Sequence, residues 1–381
     1  MSSLHPDVDT APDDPGDAPT TGPDGPPAGP GRRLLWGMDE ATWRQIRLAA
    51  IAVYVAAYLW WFAEQGIIVD RISVLVSVVL FLIVGTIGRP RRDWFRLLRD
   101  AGLFVLMWVV YDESRGVADR IGMPIQVESV RDIDRFLFLG TDPTVWLQHR
   151  FHEGPDSVRW YDVAGSIVYF SHFIVPPVVI ATLYIVNRHQ WGRYMRRFAT
   201  VLFIACTMFV ILPTAPPWMA AGGRNNLGLE LDALEPLTRP TGRGWRHIGL
   251  GAFVRAWDTG RDWANQVAAM PSLHAAFALF VVVFLFRWVT SWWQRNLMLL
   301  YPLVMATTLM YFGEHYLADA LAGWAVVGVS FLVWNRIERR WDRGVRPADA
   351  AAWPHDATVD HLAPTDANGS EQSGVRTTVD V

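Results

Sequence analysis

Two histidines and an aspartate carry the chemistry this sequence can offer. His315 is followed four residues later by Asp319, in Gly-Glu-His-Tyr-Leu-Ala-Asp (313–319). Four residues is one helical turn, so a helix would set the two side chains on one face. A neutral imidazole can attack phosphorus through one ring nitrogen. A carboxylate on the other nitrogen would fix the tautomer and stabilise the cation that forms. His274 follows Pro271 and Ser272 in Ala-Ala-Met-Pro-Ser-Leu-His (268–274). Proline suits the first turn of a helix, and the free amides of such an end attract phosphate. Ser272 adds a hydroxyl there, and His274 a proton donor. The division of work that follows has His315 as nucleophile and His274 as general acid to the leaving oxygen. It needs no metal, and no further His, Cys, Asp or Glu stands at ordinary ligand spacing. No cofactor is expected.

Both histidines sit at the mouths of apolar runs, which sets the kind of protein that must position them. The chain has 381 residues, 51% of them hydrophobic, with 20 Trp. That content in one chain predicts an all-α, polytopic membrane helix bundle rather than two soluble domains. The formal net charge of −3 is strongly segregated, all the basic residues are Arg, and nucleic acid is not an expected partner. The lone Cys206 excludes an intramolecular disulfide. Eight spans are predicted, over 46–64, 68–88, 97–114, 160–187, 192–213, 271–290, 295–312 and 315–335. Asp112 and Glu113 close the third early, and Pro176-Pro177 predict a kink in the fourth. Arginines cluster before the first span, between the second and third, fourth and fifth, and sixth and seventh, and after the eighth. Eight crossings put all these clusters on one side, the cytoplasmic one, with both termini. The expected setting is the plasma membrane, with the site on the extracytoplasmic face.

Residues 1–35 and 341–381 read as disordered tails, and no signal peptide is evident at the start. Residues 36–94 would hold two additional membrane helices, and 95–340 the catalytic domain. That domain has two outward segments, 115–159 and 214–270. The first reads as one or two interfacial helices over 130–151, broken at Gly140-Thr141-Asp142-Pro143. The second, rich in Gly, Pro, Arg and Trp, is long enough to expect a function.

Pro-Ser-Leu-His (271–274) and His-Tyr-Leu-Ala-Asp (315–319) resemble the second and third signature motifs of the type 2 phosphatidic acid phosphatase superfamily. The variant with Leu273, where Gly is commoner, is similar to the inositol phosphorylceramide synthase branch. So are Pro213-Thr-Ala-Pro-Pro-Trp218, Tyr169-Phe-Ser-His-Phe173 and Phe138-Leu-Gly140. The likeness covers roughly residues 95–335. It implies a six-helix core, to which the first two spans are additions, and a phosphohistidine mechanism with the roles given above. Two departures stand out. The Ser-Arg pair that usually precedes the third-motif histidine is here Thr308-Leu309. The Lys of the usual first motif falls on Asp232, so Arg239-Pro240 is read as a chance likeness. Phosphate-binding cations must then come from Arg224, Arg239, Arg243, Arg246 or Arg255, with Ser272 and Tyr311 as further substrate contacts. Fewer cations suit a phosphodiester, which carries less charge than a monoester.

Other polar residues in the apolar segments have competing readings. His172, inside the fourth span, is read first as a bundle hydrogen-bonder and second as a site residue. Asp162 stays open between the two. Trp218, Trp245, Trp257 and Trp263 read as an interfacial belt, Asp258, Asp262 and Asn265 as solvated loop polars, and Gly323 and Gly328 as packing positions. The expected function is transfer of a phosphoryl or phospho-polyol (inositol phosphate) group from a lipid to a polyol or lipid alcohol acceptor. Competing expectations are hydrolysis of phosphatidate or a polyprenyl phosphate, and a non-catalytic protein that only binds lipid.

Overall fold

The computed structural model describes residues 38–342, except 66–70, 90, 155–156, 226, 252–253, 256–257 and 259–264. The predicted tails, apart from residues 341–342, which end the last helix, and the belt positions Trp257 and Trp263, with Asp262, lie outside the described residues. Every described element is helical. Three long helices come first: α1 (Glu40–Gln65), α2 (Arg71–Thr86) and α3 (Arg91–Ile121). Two short ones follow, α4 (Glu128–Leu137) and α5 (Pro143–Phe151), then the long α6 (Trp160–Val186) and α7 (Arg188–Ile211). Two single turns, α8 (Pro217–Ala220) and α9 (Arg243–His247), lie in the 214–270 segment. The chain closes with α10 (Leu273–Leu285), α11 (Trp292–Tyr311) and α12 (Leu317–Asp342).

Each of the eight predicted apolar segments coincides with a helix. By length and composition, the parts of α6, α7 and α12 over Trp160–Tyr184, Arg188–Ile211 and Leu317–Arg340 can cross a membrane. The shorter apolar stretch Leu273–Trp288 contains α10. One boundary expectation is corrected. Helix α3 does not stop at Asp112-Glu113 but runs to Ile121, because acidic side chains weaken a helix far less than Pro or Gly does. Pro176 and Pro177 lie inside α6, which is continuous through both.

Helix α10 is the axis of the bundle, packed against α6, α7, α11 and α12. Its sequence is almost wholly apolar, as a helix buried all round must be. One cluster joins Tyr194 of α7 to Phe280 and Phe284 of α10, with ring centroids 4.8 and 4.9 Å apart and edges to faces. Such aromatic pairs contribute about 0.5–1.5 kcal/mol each beyond burial. Close approach of α10 and α12 depends on Gly323. A Cβ there would stand 2.5 Å from the Ser272 carbonyl oxygen and 3.3 Å from the Ala276 Cβ. By contrast α1 packs on α2, and α2 on α3, at the margin.

Candidate active site

The turn between α11 and α12 builds the site. Gly313 ends α11 at φ +68°, a left-handed conformation that glycine adopts without strain. The Leu309 carbonyl then accepts the amides of Glu314 (3.0 Å) and His315 (3.4 Å), folding those residues back over the helix end. So Thr308-Leu309, at the positions of the family's Ser-Arg, are buried and shape the turn through backbone.

His315 Nδ1 and Asp319 Oδ2 are 3.3 Å apart, and both residues are buried. The pairing differs from the expected helical face. His315 precedes the helix, which starts at Leu317, and Asp319 reaches back from the first turn. Its Oδ2 also accepts the Tyr316 amide at 2.9 Å. A carboxylate at a helix N-terminus is favoured by the free amides and the helix dipole. Asp319 Oδ1 has no partner.

His274 is brought to this pair by one backbone bond. The Ser272 amide donates to the Asp319 carbonyl at 2.9 Å, joining the starts of α10 and α12. The His274 and His315 ring centroids are 5.6 Å apart. Here the expectation for Pro271 is corrected. Pro271 lies before the helix, and Ser272 is the N-cap, its buried hydroxyl accepting the Ala275 amide at 3.3 Å. The cap takes one acceptor site of that hydroxyl. His274 is the second helical residue.

His172 joins the cluster. Its ring stacks on His274 at 4.0 Å, and Tyr169 stacks on His274 at 4.8 Å. His172 Nδ1 and His274 Nε2 both lack partners. The signal in the sequence was the three-residue spacing of Tyr169 and His172, which sets both on one face of α6.

The loops close over the site through a strip of paired backbone. The Thr214 amide donates to Val267 O at 2.7 Å, Ala269 N to Thr214 O at 3.2 Å, and Ala215 N to Gln126 O at 3.0 Å. The segments before α4, after α7 and before α10 are thus tied together. The next residues carry Trp218, whose amide donates to Gly313 O at 2.9 Å. Trp218 is buried, with the Arg239 guanidinium 4.2 Å above its ring, so it does not belong to an interfacial belt. Arg239 also makes two 2.7 Å bonds to Glu314, the neighbour of His315, and Thr241 adds a third donor. Burial pulls the Arg239 guanidinium down, but the Glu314 carboxylate outweighs it and raises it overall.

The other candidates stand elsewhere. Arg243 is buried against His152 and the carbonyls of Gly154 and Ser157. Arg246 faces Asp258 at 3.8 Å, and Arg224 and Arg255 are exposed. The Tyr311 hydroxyl donates to Asp162 at 2.8 Å, so those two bind each other across α6 and α11. Gln148, which drew no attention in the sequence, is buried. It donates to the carbonyls of Tyr311 and Thr238 at 2.9 Å and accepts the Thr238 amide at 3.0 Å. Among the described residues no three His, Cys, Asp or Glu side chains form a metal-binding group.

A family model of the PAP2 superfamily matches residues 129–333, more than half of the chain. The chain belongs to the PAP2 superfamily. The PAP2 match begins in α4 and ends in α12, and so contains both histidine motifs and the 214–270 segment. It starts later than the resemblance drawn from the motifs, leaving α1–α3 before it. A protein of Bacteroides thetaiotaomicron named phosphoinositol dihydroceramide synthase is 28% identical over 260 residues. That alignment spans 65% of this chain and 79% of the relative. It agrees with the inositol phosphorylceramide synthase-like branch of the PAP2 superfamily. No solved structure matches the chain.

Proposed function

We propose that this membrane enzyme moves a phospho-polyol group, inositol phosphate in the first instance, from a phospholipid to an acceptor hydroxyl through His315. The observation that carries the reading is the His315–Asp319 pair with a second imidazole 5.6 Å away on an adjoining helix. Asp319 holds Nδ1 of His315, which leaves Nε2 as the nucleophile. In the first half-reaction the Nε2 lone pair attacks phosphorus, and the bond from phosphorus to the lipid alcohol oxygen breaks. His274, protonated, gives its proton to that oxygen. Asp319 stabilises the phosphorylated imidazolium. In the second half the acceptor hydroxyl attacks phosphorus and loses its proton to His274. The phosphorus–nitrogen bond breaks and both histidines return to their starting forms.

Arg239, held by Glu314 beside His315, is the arginine we assign to the substrate phosphate. The name of the Bacteroides relative makes a ceramide-type alcohol the acceptor to try first. We further assign six crossings to α3, α6, α7, α10, α11 and α12 as the catalytic core, with α1 and α2 as additions. Both termini are then cytoplasmic and the site faces away from the cytoplasm. The support is the grouping of Arg193, Arg196, Arg197, Arg287 and Arg295 at the bundle end opposite the histidines.

The test uses purified protein in liposomes with labelled phosphatidylinositol, with and without a ceramide acceptor, and then a polyprenyl phosphate. Labelled inositol phosphate on the acceptor is expected, with an acid-labile phosphohistidine at His315. Release of free phosphate from monoesters alone would replace transfer by hydrolysis. A label trapped at a residue other than His315 would overturn the roles.

A further inference from the structure

We propose that Asp134 is a positioning residue for the His315–Asp319 pair, acting on α12 from the short helix α4. This rests on the transfer reading above for what is being positioned, but not for the contact itself. Helix α4 is sharply two-faced. Val130 and Asp134, one turn apart, are buried, while Ile133, Phe136 and Leu137 are exposed. The buried face lies on the start of α12. There Asp134 Oδ2 accepts the Leu317 amide at 2.9 Å, and Oδ1 accepts the Ala318 amide at 2.8 Å.

Those amides are the first two of α12, and a helix start has no intrahelical partner for them. The amide before them, Tyr316, is bonded to Asp319. So three successive donors are shared between two carboxylates, one for Asp319 and two for Asp134. The division matters for His315. Asp319 lies in the same first turn, and its Oδ2 must serve both the Tyr316 amide and the His315 imidazole. With Asp134 gone, the amides of Leu317 and Ala318 would compete for the Asp319 carboxylate and draw it away from the ring. Asp134 is itself fixed: Arg131, on the same helix, makes two 3.0 Å bonds to Asp142 at the start of α5. Asp134 touches neither substrate nor the reacting nitrogen. Its effect runs through the geometry of the first turn of α12.

The experiment compares wild-type protein in liposomes with Asp134→Ala, the isosteric Asp134→Asn, and Asp132→Asn. Asp132 is exposed on the same helix and serves as the control. Two readouts are taken: kcat and KM for inositol phosphate transfer, and amide hydrogen exchange over residues 316–320. A misplacement of about 1 Å at a catalytic group costs on the order of 100-fold in rate. Asp134→Ala is therefore expected to lower kcat between about 10- and 100-fold, leave KM nearly unchanged, and raise exchange at 316–320 alone. Asp134→Asn, which keeps one acceptor oxygen, falls between, and Asp132→Asn matches wild type. Faster exchange with unchanged kcat would make Asp134 a structural cap only and overturn the proposal, as would unchanged exchange in both variants. If wild-type protein transfers nothing while exchange still responds to Asp134, the transfer reading fails and the control of the α12 start by Asp134 stands. Should Asp134→Ala not fold, Asp134→Asn decides alone.

Discussion

Helix α12 buries two carboxylates, Asp319 in its first turn and Glu338 near its end. They are separated by about 28 Å at the usual rise per residue, close to the thickness of a bilayer core. Their surroundings are opposite in kind. Glu338 accepts from three arginines of α7, with Arg193, Arg196 and Arg197 bonded at 2.9, 2.8 and 2.6 Å. Arg197, fully buried, also reaches Asn335 at 2.8 Å. Both Glu338 oxygens are used and the charge is more than balanced. Asp319 has one imidazole at 3.3 Å, one amide, and an oxygen with no partner. A buried polar atom without a partner costs about 1–3 kcal/mol. The clamp at Glu338 reads as a fastener between α7 and α12, and the Asp319 end is the one we propose as the reaction site.

The largest effect expected from this contrast is functional and local. His315→Ala should lower kcat on the order of 10⁴-fold while leaving the thermal unfolding midpoint in detergent close to wild type. Retained turnover would remove the basis for the contrast. The next effect is the reverse in kind. Removing one partner of a buried ion pair costs roughly 3–5 kcal/mol, so Glu338→Ala should sharply lower the unfolding midpoint. Protein that remains folded at low temperature should keep its kcat. If Glu338→Ala were as stable as wild type but inactive, the two ends would be one functional unit.

Much of this arrangement is legible in the sequence, and the illegible part has a physical cause. Apolar runs bounded by arginines mark each long helix, because burial and charge placement act locally. The spacing of His315 and Asp319 announces that the two meet, although they do so in a turn rather than on a helical face. Asp134 and Gln148 gave no such signal. Their partners lie at Leu317, Ala318, Thr238 and Tyr311, so the pairing exists only after the chain has folded. Trp218 misleads for a related reason. A tryptophan in a Gly- and Pro-rich loop resembles an interfacial anchor, yet the Thr214 strip folds it under Arg239. Pro271 is a third case, since a proline one position before the N-cap and one inside the first turn look alike in sequence.

Between the two carboxylates lies the α10–α12 contact, where Gly323→Ala sharpens the comparison. The added methyl would meet the Ser272 carbonyl, which is backbone and cannot swing aside. Overpacking of this kind costs about 1–3 kcal/mol. Ser272 also donates its amide to Asp319, so the strain falls on the bond that brings His274 to His315. Both the unfolding midpoint and kcat should fall, unlike either end alone. A loss of stability with kcat intact would mean that the spacing of the two histidines tolerates a shift in the helices.

The smallest effect tests whether a missing partner by itself marks function. The Tyr194 hydroxyl is also buried without a partner, among Phe198, Phe280 and Phe284 on the arginine side of the bundle. Its ring neighbours are phenylalanines, so its unmade bond is a plain cost. Tyr194→Phe removes the oxygen and keeps the ring, a change expected to stabilise the protein by about 1 kcal/mol, the low end of the range for such an atom. The unfolding midpoint should rise slightly or stay, and kcat should not move. The unpartnered atoms of His172, His274 and Asp319 come instead from three helices and lie around His315. A kcat lost in Tyr194→Phe would show that isolated and clustered unpartnered atoms are not different in kind, and the contrast between the two ends of α12 would lose its meaning.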